Sequence, residues 1–180
     1  MKNPKEFPHP DYEIEPVNSS QIIVLWELIL ELAEFEKLQT PGNFELLADS
    51  ILEKKAAEAF LIRTRNRAPG DLSRNDDYVG FVVFFQNFST FQALPGLYLE
   101  DLYVRPEHRG RKIGSAVMQW LARVAKRRGY ARMDWEALNW NHKALSFYKS
   151  DPILATVHEE WVHCRLEGEE IGALAEKKLF

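Results

Sequence analysis

The stretch from Leu97 to Trp120, LYLEDLYVRPEHRGRKIGSAVMQW, constrains the chain more than any other. Leu97, Leu99 and Asp101 alternate with Tyr98, Glu100 and Leu102, the period of two expected of a strand. Arg105-Pro106 stops it, because proline lacks an N–H and restrains the residue before it. Ile113, Val117, Trp120, Leu121 and Val124 then recur at steps of three and four, one apolar face of a helix. Between strand and helix lies Arg109-Gly110-Arg111-Lys112-Ile113-Gly114. A helix start offers unpaired N–H groups and a partial positive charge. Glycines let a phosphate approach the backbone closely, and arginines add charge. The stretch therefore predicts an anion site, with a pyrophosphate as the best-fitting occupant; an ordinary strand–turn–helix corner is the competing reading. Neither GxxxxGK[ST] nor GxGxxG occurs, which argues against an ATPase-type P-loop and a dinucleotide fingerprint.

Around this stretch the pattern is mixed. Met1 to Asp11, with Pro4, Pro8 and Pro10, reads as a loose, flexible tail, and residues 12–180 as a single domain. Tyr12 to Val17 reads as a short strand. Asn18, with Gln21 in capping-box register, opens a helix running to about Leu38. Ile22, Leu25, Trp26, Ile29 and Ala33 form its stripe, while Glu27, Glu31 and Glu34 read as a solvated face. A second helix is expected over Phe44 to Glu58, strands over Ala59 to Arg65 and Tyr78 to Phe88, and an exposed polar loop over Asn66 to Asp77. The apolar run of Tyr78 to Phe88 suggests burial on both faces. Arg123 to Arg128 and Gly129 close the long helix by dipole compensation and a terminal glycine. A strand over Ala131 to Leu138 and a short helix through Ala144 and Tyr148 follow. Ile153 to Val157 and Glu160 to Leu166 read as a final hairpin, and Gly172 to Leu179 as a terminal helix. This order predicts an α/β (α+β) chain with one sheet flanked by helices.

Composition limits the function classes. With 46% hydrophobic residues the chain can pack a core. A net charge of −4 argues against a nucleic-acid binder and suits a cationic substrate. Cys164, the single cysteine, excludes an internal disulfide and a cysteine-based metal cluster. His108, His142, His158 and His163 lack metal-ligand spacing, so no metal is expected. Without a signal-like or membrane-spanning stretch, a cytoplasmic protein that binds no membrane is expected.

The string LEDLYV, RPEHRGRKIG and a helix resembles the acetyl-coenzyme A-binding motif of the GNAT acetyltransferase superfamily, R/Q-x-x-G-x-G/A. Lys112 stands where that pattern has its middle glycine. Residues 29–36, Tyr98 to Leu102, Leu138-Asn139-Trp140-Asn141 and Ser146-Phe147-Tyr148-Lys149 resemble the diamine branch, the spermidine/spermine and thialysine acetyltransferases. The segment after Tyr148 departs from it, lacking a glycine near Lys149 to Pro152.

The resemblance implies a GNAT fold, a mixed, mostly antiparallel, twisted sheet of about seven strands. It implies acetyl-coenzyme A as donor, a small primary amine as acceptor, direct transfer in a ternary complex, and a homodimer. Such chemistry needs a base for the amine's proton, donors for an oxyanion, and an acid for the leaving thiolate. By resemblance Glu100 is the base and Tyr148 the acid. A phenol near 10 beside a thiol near 8.5 leaves about 2 kcal/mol for geometry to offset. Backbone groups of Leu102, Tyr103 and Val104 would meet the pantetheine arm, and Arg109, Gly110, Arg111, Lys112, Ile113, Gly114 and Ser115 the pyrophosphate. Asn141 matches a coenzyme contact, and Ala144 stands where the family has a hydrogen-bonding serine. Phe35, Glu36, Asp101, Asp134 and Trp135 are the acceptor candidates, since carboxylates and an aromatic face suit an ammonium group. Acetylation of a lysine-like amino acid or peptide amine is the alternative with the same chemistry. A coenzyme-binding module without catalysis is the alternative from another class.

Overall fold

The computed structural model describes residues 7–65 and 77–178, so the expected loop of Asn66 to Asp77 lies outside the described residues except at its last position. The chain divides into two compact units, Met1–Asn141 and His142–Phe180, where one domain was expected.

The first unit holds a five-stranded sheet in the order β1-β2-β3-β4-β5. Its strands are β1 (Tyr12–Pro16), β2 (Glu58–Thr64), β3 (Tyr78–Ser89), β4 (Leu94–Val104) and β5 (Met133–Trp135). The first four form an antiparallel meander. β5 joins parallel to β4 after a crossover through α3 (Ile113–Arg128), the connection that parallel neighbours require. The sheet is mixed and flanked by helices as expected, with five strands among the described residues instead of about seven.

Alternation along β2 and β3 builds two cores. Ala59, Leu61, Phe81 and Val83 pack with Ile22, Val24, Leu25 and Leu28 of α1 (Ile22–Glu36). Phe60 and Phe84 face the other way and meet Trp120 of α3, with ring centroids 4.9 and 5.8 Å from it. The expected two-sided burial of β3 follows from these layers. In α1 the buried stripe runs through Leu28, and Trp26 is half-buried; packing against β3 shifts the face from the one expected. Gln21 accepts from the Asn18 N–H at 3.1 Å, as a capping box requires, whereas Asn18 turns its side chain to Ser20. The second helix, α2 (Phe44–Ala48), runs into a π-helical turn at Asp49–Glu53 and stops short of Glu58, because Glu58 is already in β2.

Two further expectations change. Residues 7–11 are not loose: Phe7 is 3% exposed, and the Arg65 N–H donates to the Asp11 carbonyl at 2.8 Å. Burying an aromatic ring offsets the entropy of fixing this segment. Arg128 does more than compensate a dipole. It grips Glu58 of β2 through two bonds of 2.6 and 2.9 Å, which hold its guanidinium above the usual range.

The second unit contains α4 (His142–Lys149) and α5 (Glu169–Ala175). The hairpin expected over Ile153 to Leu166 does not form. The N–H groups of Ile153 and Leu154 both turn back to the Ser150 carbonyl, and that of Ala155 to Tyr148, so the donors a ladder needs are spent locally. Trp161 and Val162 are 73% and 83% exposed, so their alternation buries nothing. No helix among the described residues is long and apolar enough to cross a membrane.

Candidate active site

The anion loop leaves β4 at Val104, passes a 3₁₀ turn at Pro106–His108 and enters α3 at Ile113. Gly110 has φ +77°, and Lys112 has φ 62° and ψ 15°. Left-handed backbone suits glycine, so Lys112 takes a conformation that the glycine of the family pattern would adopt freely. Lys112 gives α3 no side-chain cap. The first-turn N–H groups of Ile113, Gly114 and Ser115 have no acceptor within the helix, the arrangement that takes an anion.

The two loop arginines are held by the protein. Arg109 donates from Nε to the Val104 carbonyl at 2.7 Å, with its guanidinium 5.1 Å from the Phe35 ring centroid and 5.7 Å from that of Tyr103. Arg111 donates to the Tyr12 hydroxyl at 3.2 Å. Both fix the frame in which the backbone donors stand.

β4 carries two irregularities beside this loop. Leu97, Leu99 and the Tyr98 between them pair with Met133–Trp135, and the pairing ends there. Among the described residues β4 therefore has a ladder partner from Glu100 to Val104, β3, on one side only. On that side Phe84 opposes Leu99 and Val83 opposes Asp101, so Glu100 is the extra residue of a β-bulge. Bulges re-aim side chains and cluster next to active sites.

The bulge collects carboxylates. Asp101 lies within the fields of Glu100 and Glu36, the latter from the end of α1. Burial first, then these two charges, push the Asp101 carboxyl up to about 7. Burial also raises Glu36. Glu100 is exposed. Tyr98 is pushed up to about 12 by burial and by the charges of Glu136, Glu100 and Asp134. Of the acceptor candidates, Glu36 and Asp101 thus gather with Glu100. Phe35 sits with Arg109 and 6.0 Å from the Trp140 ring. Asp134 is engaged by Asn87 at 2.9 Å and Arg132 at 2.7 Å, and Trp135 is half-buried at the end of β5. Leu102 and Val104 are half-buried on the one-sided part of β4. Asn141 bonds the Leu138 carbonyl at 2.9 Å. Ala144 and Tyr148 lie in α4, in the second unit, with the Tyr148 ring 5.1 Å from Phe147.

Sequence reasoning missed one cluster. Glu31 is no solvated carboxylate: Arg105 donates to it from Nε and Nη2, the latter at 2.6 Å, and the Tyr103 hydroxyl donates at 3.1 Å. Burial and Glu31 push Tyr103 up to about 12, and Glu31 also raises Arg105. The clamp ties α1 to the end of β4. A lone Arg105 before the proline was its only sequence signal. Among the described residues no three His, Cys, Asp or Glu side chains are grouped to hold a metal.

A profile of the acetyltransferase (GNAT) family matches residues 27–150. Thialysine N-epsilon-acetyltransferase of Bos taurus is 34% identical over 154 residues, 83% of this chain and 89% of that protein. L-ornithine N5-acetyltransferase of Arabidopsis thaliana is 36% identical over 95 residues, 53% of this chain and 41% of that protein. An integron cassette protein from the mobile metagenome of V. cholerae superimposes with a TM-score of 0.72 at 24% identity, covering 93% of this chain and 99% of that one.

Proposed function

The chain belongs to the acetyltransferase (GNAT) family, and from that premise we propose that it moves an acetyl group from acetyl-coenzyme A to the primary amine of a small cation such as a diamine or polyamine, by direct transfer in a ternary complex. The observation that carries the acceptor class is the gathering of Glu36, Glu100 and Asp101 at the bulge of β4. Three carboxylates at one place favour a ligand with positive charge. The names of relatives that act on thialysine and ornithine support a second acceptor, a lysine-like amino acid, which carries the same ammonium group.

The residues present fit the coenzyme. The uncapped first turn of α3 would take its pyrophosphate, and the one-sided stretch from Glu100 to Val104 leaves backbone donors and acceptors for its amide-bearing arm. Once bound, the coenzyme supplies the acetyl thioester. Glu100 would accept, through water, the proton that the amine must lose; Tyr148 would give a proton to the leaving sulfur; and backbone N–H groups of the open edge would offer donors to the acetyl oxygen. Glu36, Asp101 and the Phe35 ring would hold the ammonium tail, with Asp134 and Trp135 as further acceptor candidates by resemblance. Asp101 is the second candidate for the base, since its value of about 7 matches a group that trades protons near neutrality. Resemblance further supports a homodimer, and the net charge of −4 disfavours a nucleic-acid partner.

Free-thiol release from acetyl-coenzyme A, with spermidine, diamines, thialysine, ornithine, lysine and peptides as acceptors, tests the reading. We expect turnover with one amine class, and a loss of about 10²- to 10⁴-fold in kcat for Glu100→Gln and for Tyr148→Phe. Coenzyme binding without turnover on any amine would leave a binding module. A full loss in Asp101→Asn with Glu100→Gln nearly active would move the base to Asp101.

A further inference from the structure

Pro8 and Pro10 flank His9 and restrict the backbone on either side of it. The Asp11 N–H donates to His9 Nδ1 at 3.1 Å, so Nδ1 is an acceptor and the ring hydrogen is on Nε2. His9 Nε2 then donates to the carbonyl of Arg111 at 2.8 Å, across 102 residues of sequence. The strap is anchored on both sides. Phe7 is buried before it, and Arg65 at the end of β2 donates to the His9 and Tyr12 carbonyls at 3.2 and 2.9 Å. Three residues on, Tyr12 is 2% exposed; its hydroxyl accepts from Arg111 and hydrogen-bonds with His108 Nδ1 at 3.0 Å. The rings of His9, Tyr12 and His108 meet edge to face.

The carbonyl that His9 holds shares a peptide plane with the Lys112 N–H, and in a trans peptide the two point in opposite directions. Fixing that carbonyl fixes the direction of the Lys112 N–H. It also fixes one flank of the residue that adopts φ 62° where glycine would do so freely. We propose that His9, assisted by Tyr12, is a positioning residue for pyrophosphate binding: it clamps the Arg111–Lys112 peptide and thereby holds a left-handed lysine in the conformation that leaves the first turn of α3 open. The inference rests on the coenzyme reading above.

Calorimetric titration of coenzyme A into the full-length chain, for wild type, His9→Ala, Lys112→Gly and the double variant, tests it. His9→Ala weakens binding by about three- to tenfold, the worth of one hydrogen bond. It leaves kcat at saturating acetyl-coenzyme A and the amine KM within about twofold. His9→Gln, which keeps a side-chain N–H donor, recovers part of the loss. In the Lys112→Gly background the His9→Ala loss shrinks to less than about twofold, because glycine needs no clamp to be left-handed. Faster hydrogen exchange of the Lys112 amide in His9→Ala is a readout independent of turnover. Unchanged affinity in His9→Ala, or the same loss in both backgrounds, overturns the clamp while the coenzyme reading stands. A wild type that binds no coenzyme A overturns both.

Discussion

From Leu94 to Leu99, β4 runs beside β3, and its last three residues there also pair with β5; from Glu100 to Val104 it has β3 on one side and no ladder partner on the other among the described residues. The first half puts Leu97 and Leu99 into the core, at 0% and 2% exposure. The second half holds Glu100, Asp101 and a run of backbone groups laddered on the β3 side only. Carboxylates in the first half would cost several kcal/mol each, since burial without pairing penalises charge. In the second half the bulge gives them room. The contrast shows one strand whose carboxylates begin just past the residue where β5 stops, while Tyr103 beyond it still joins the core.

The comparison can be broken from either end. The largest effect is expected in the first half: Leu97→Ala should cost about 2–5 kcal/mol of unfolding free energy, read from denaturant curves, while the folded fraction binds coenzyme A as before. A comparable fall in coenzyme affinity would mean that the halves are not separable. The second half should respond to pH instead. Asp101 holds its proton up to about 7 in the folded chain and to about 4 when unfolded, so its contribution is complete below about pH 4 and fades as pH rises to 7. Stability over that window should drop by about 1–3 kcal/mol, and Asp101→Asn should flatten the slope. A cationic acceptor favours the ionised form, so its affinity should rise as pH passes 7 in the wild type and not in the variant. The smallest effect is Lys112→Gly, which should stabilise by less than about 1 kcal/mol, because relief of left-handed strain is partly offset by glycine's greater freedom when unfolded. A loss of stability there would mean that the lysine side chain contributes more than its backbone costs.

Local pattern was legible where neighbours in sequence are neighbours in space. The spacing of Ile113, Val117, Trp120, Leu121 and Val124 named the buried face of α3, and all five are buried. The apolar run of β3 named a strand covered on both faces. Long-range partners were not legible. Glu31 read as solvated because Glu27 and Glu34 share its periodicity, yet Arg105 and Tyr103 meet it across 74 and 72 residues. The bulge at Glu100 depends on how β3 is threaded against β4, which no single strand encodes. His9 looked like part of a tail because prolines disfavour regular structure, and they also stiffen a strap. The alternation after Pro152 resembled a hairpin because period two states which side chains agree, not whether an edge receives them.

The carboxylates at the bulge have a consequence for traffic through the site. In the proposed reaction an amine arriving as an ammonium ion would be drawn by Glu36, Glu100 and Asp101, and would lose its charge on becoming an amide. The same three groups would then lose their ion pair with the acetylated nitrogen. Product release would follow because the reaction erases the feature by which the substrate is recognised, and a polyamine with a second ammonium group would be retained longer than a monoamine.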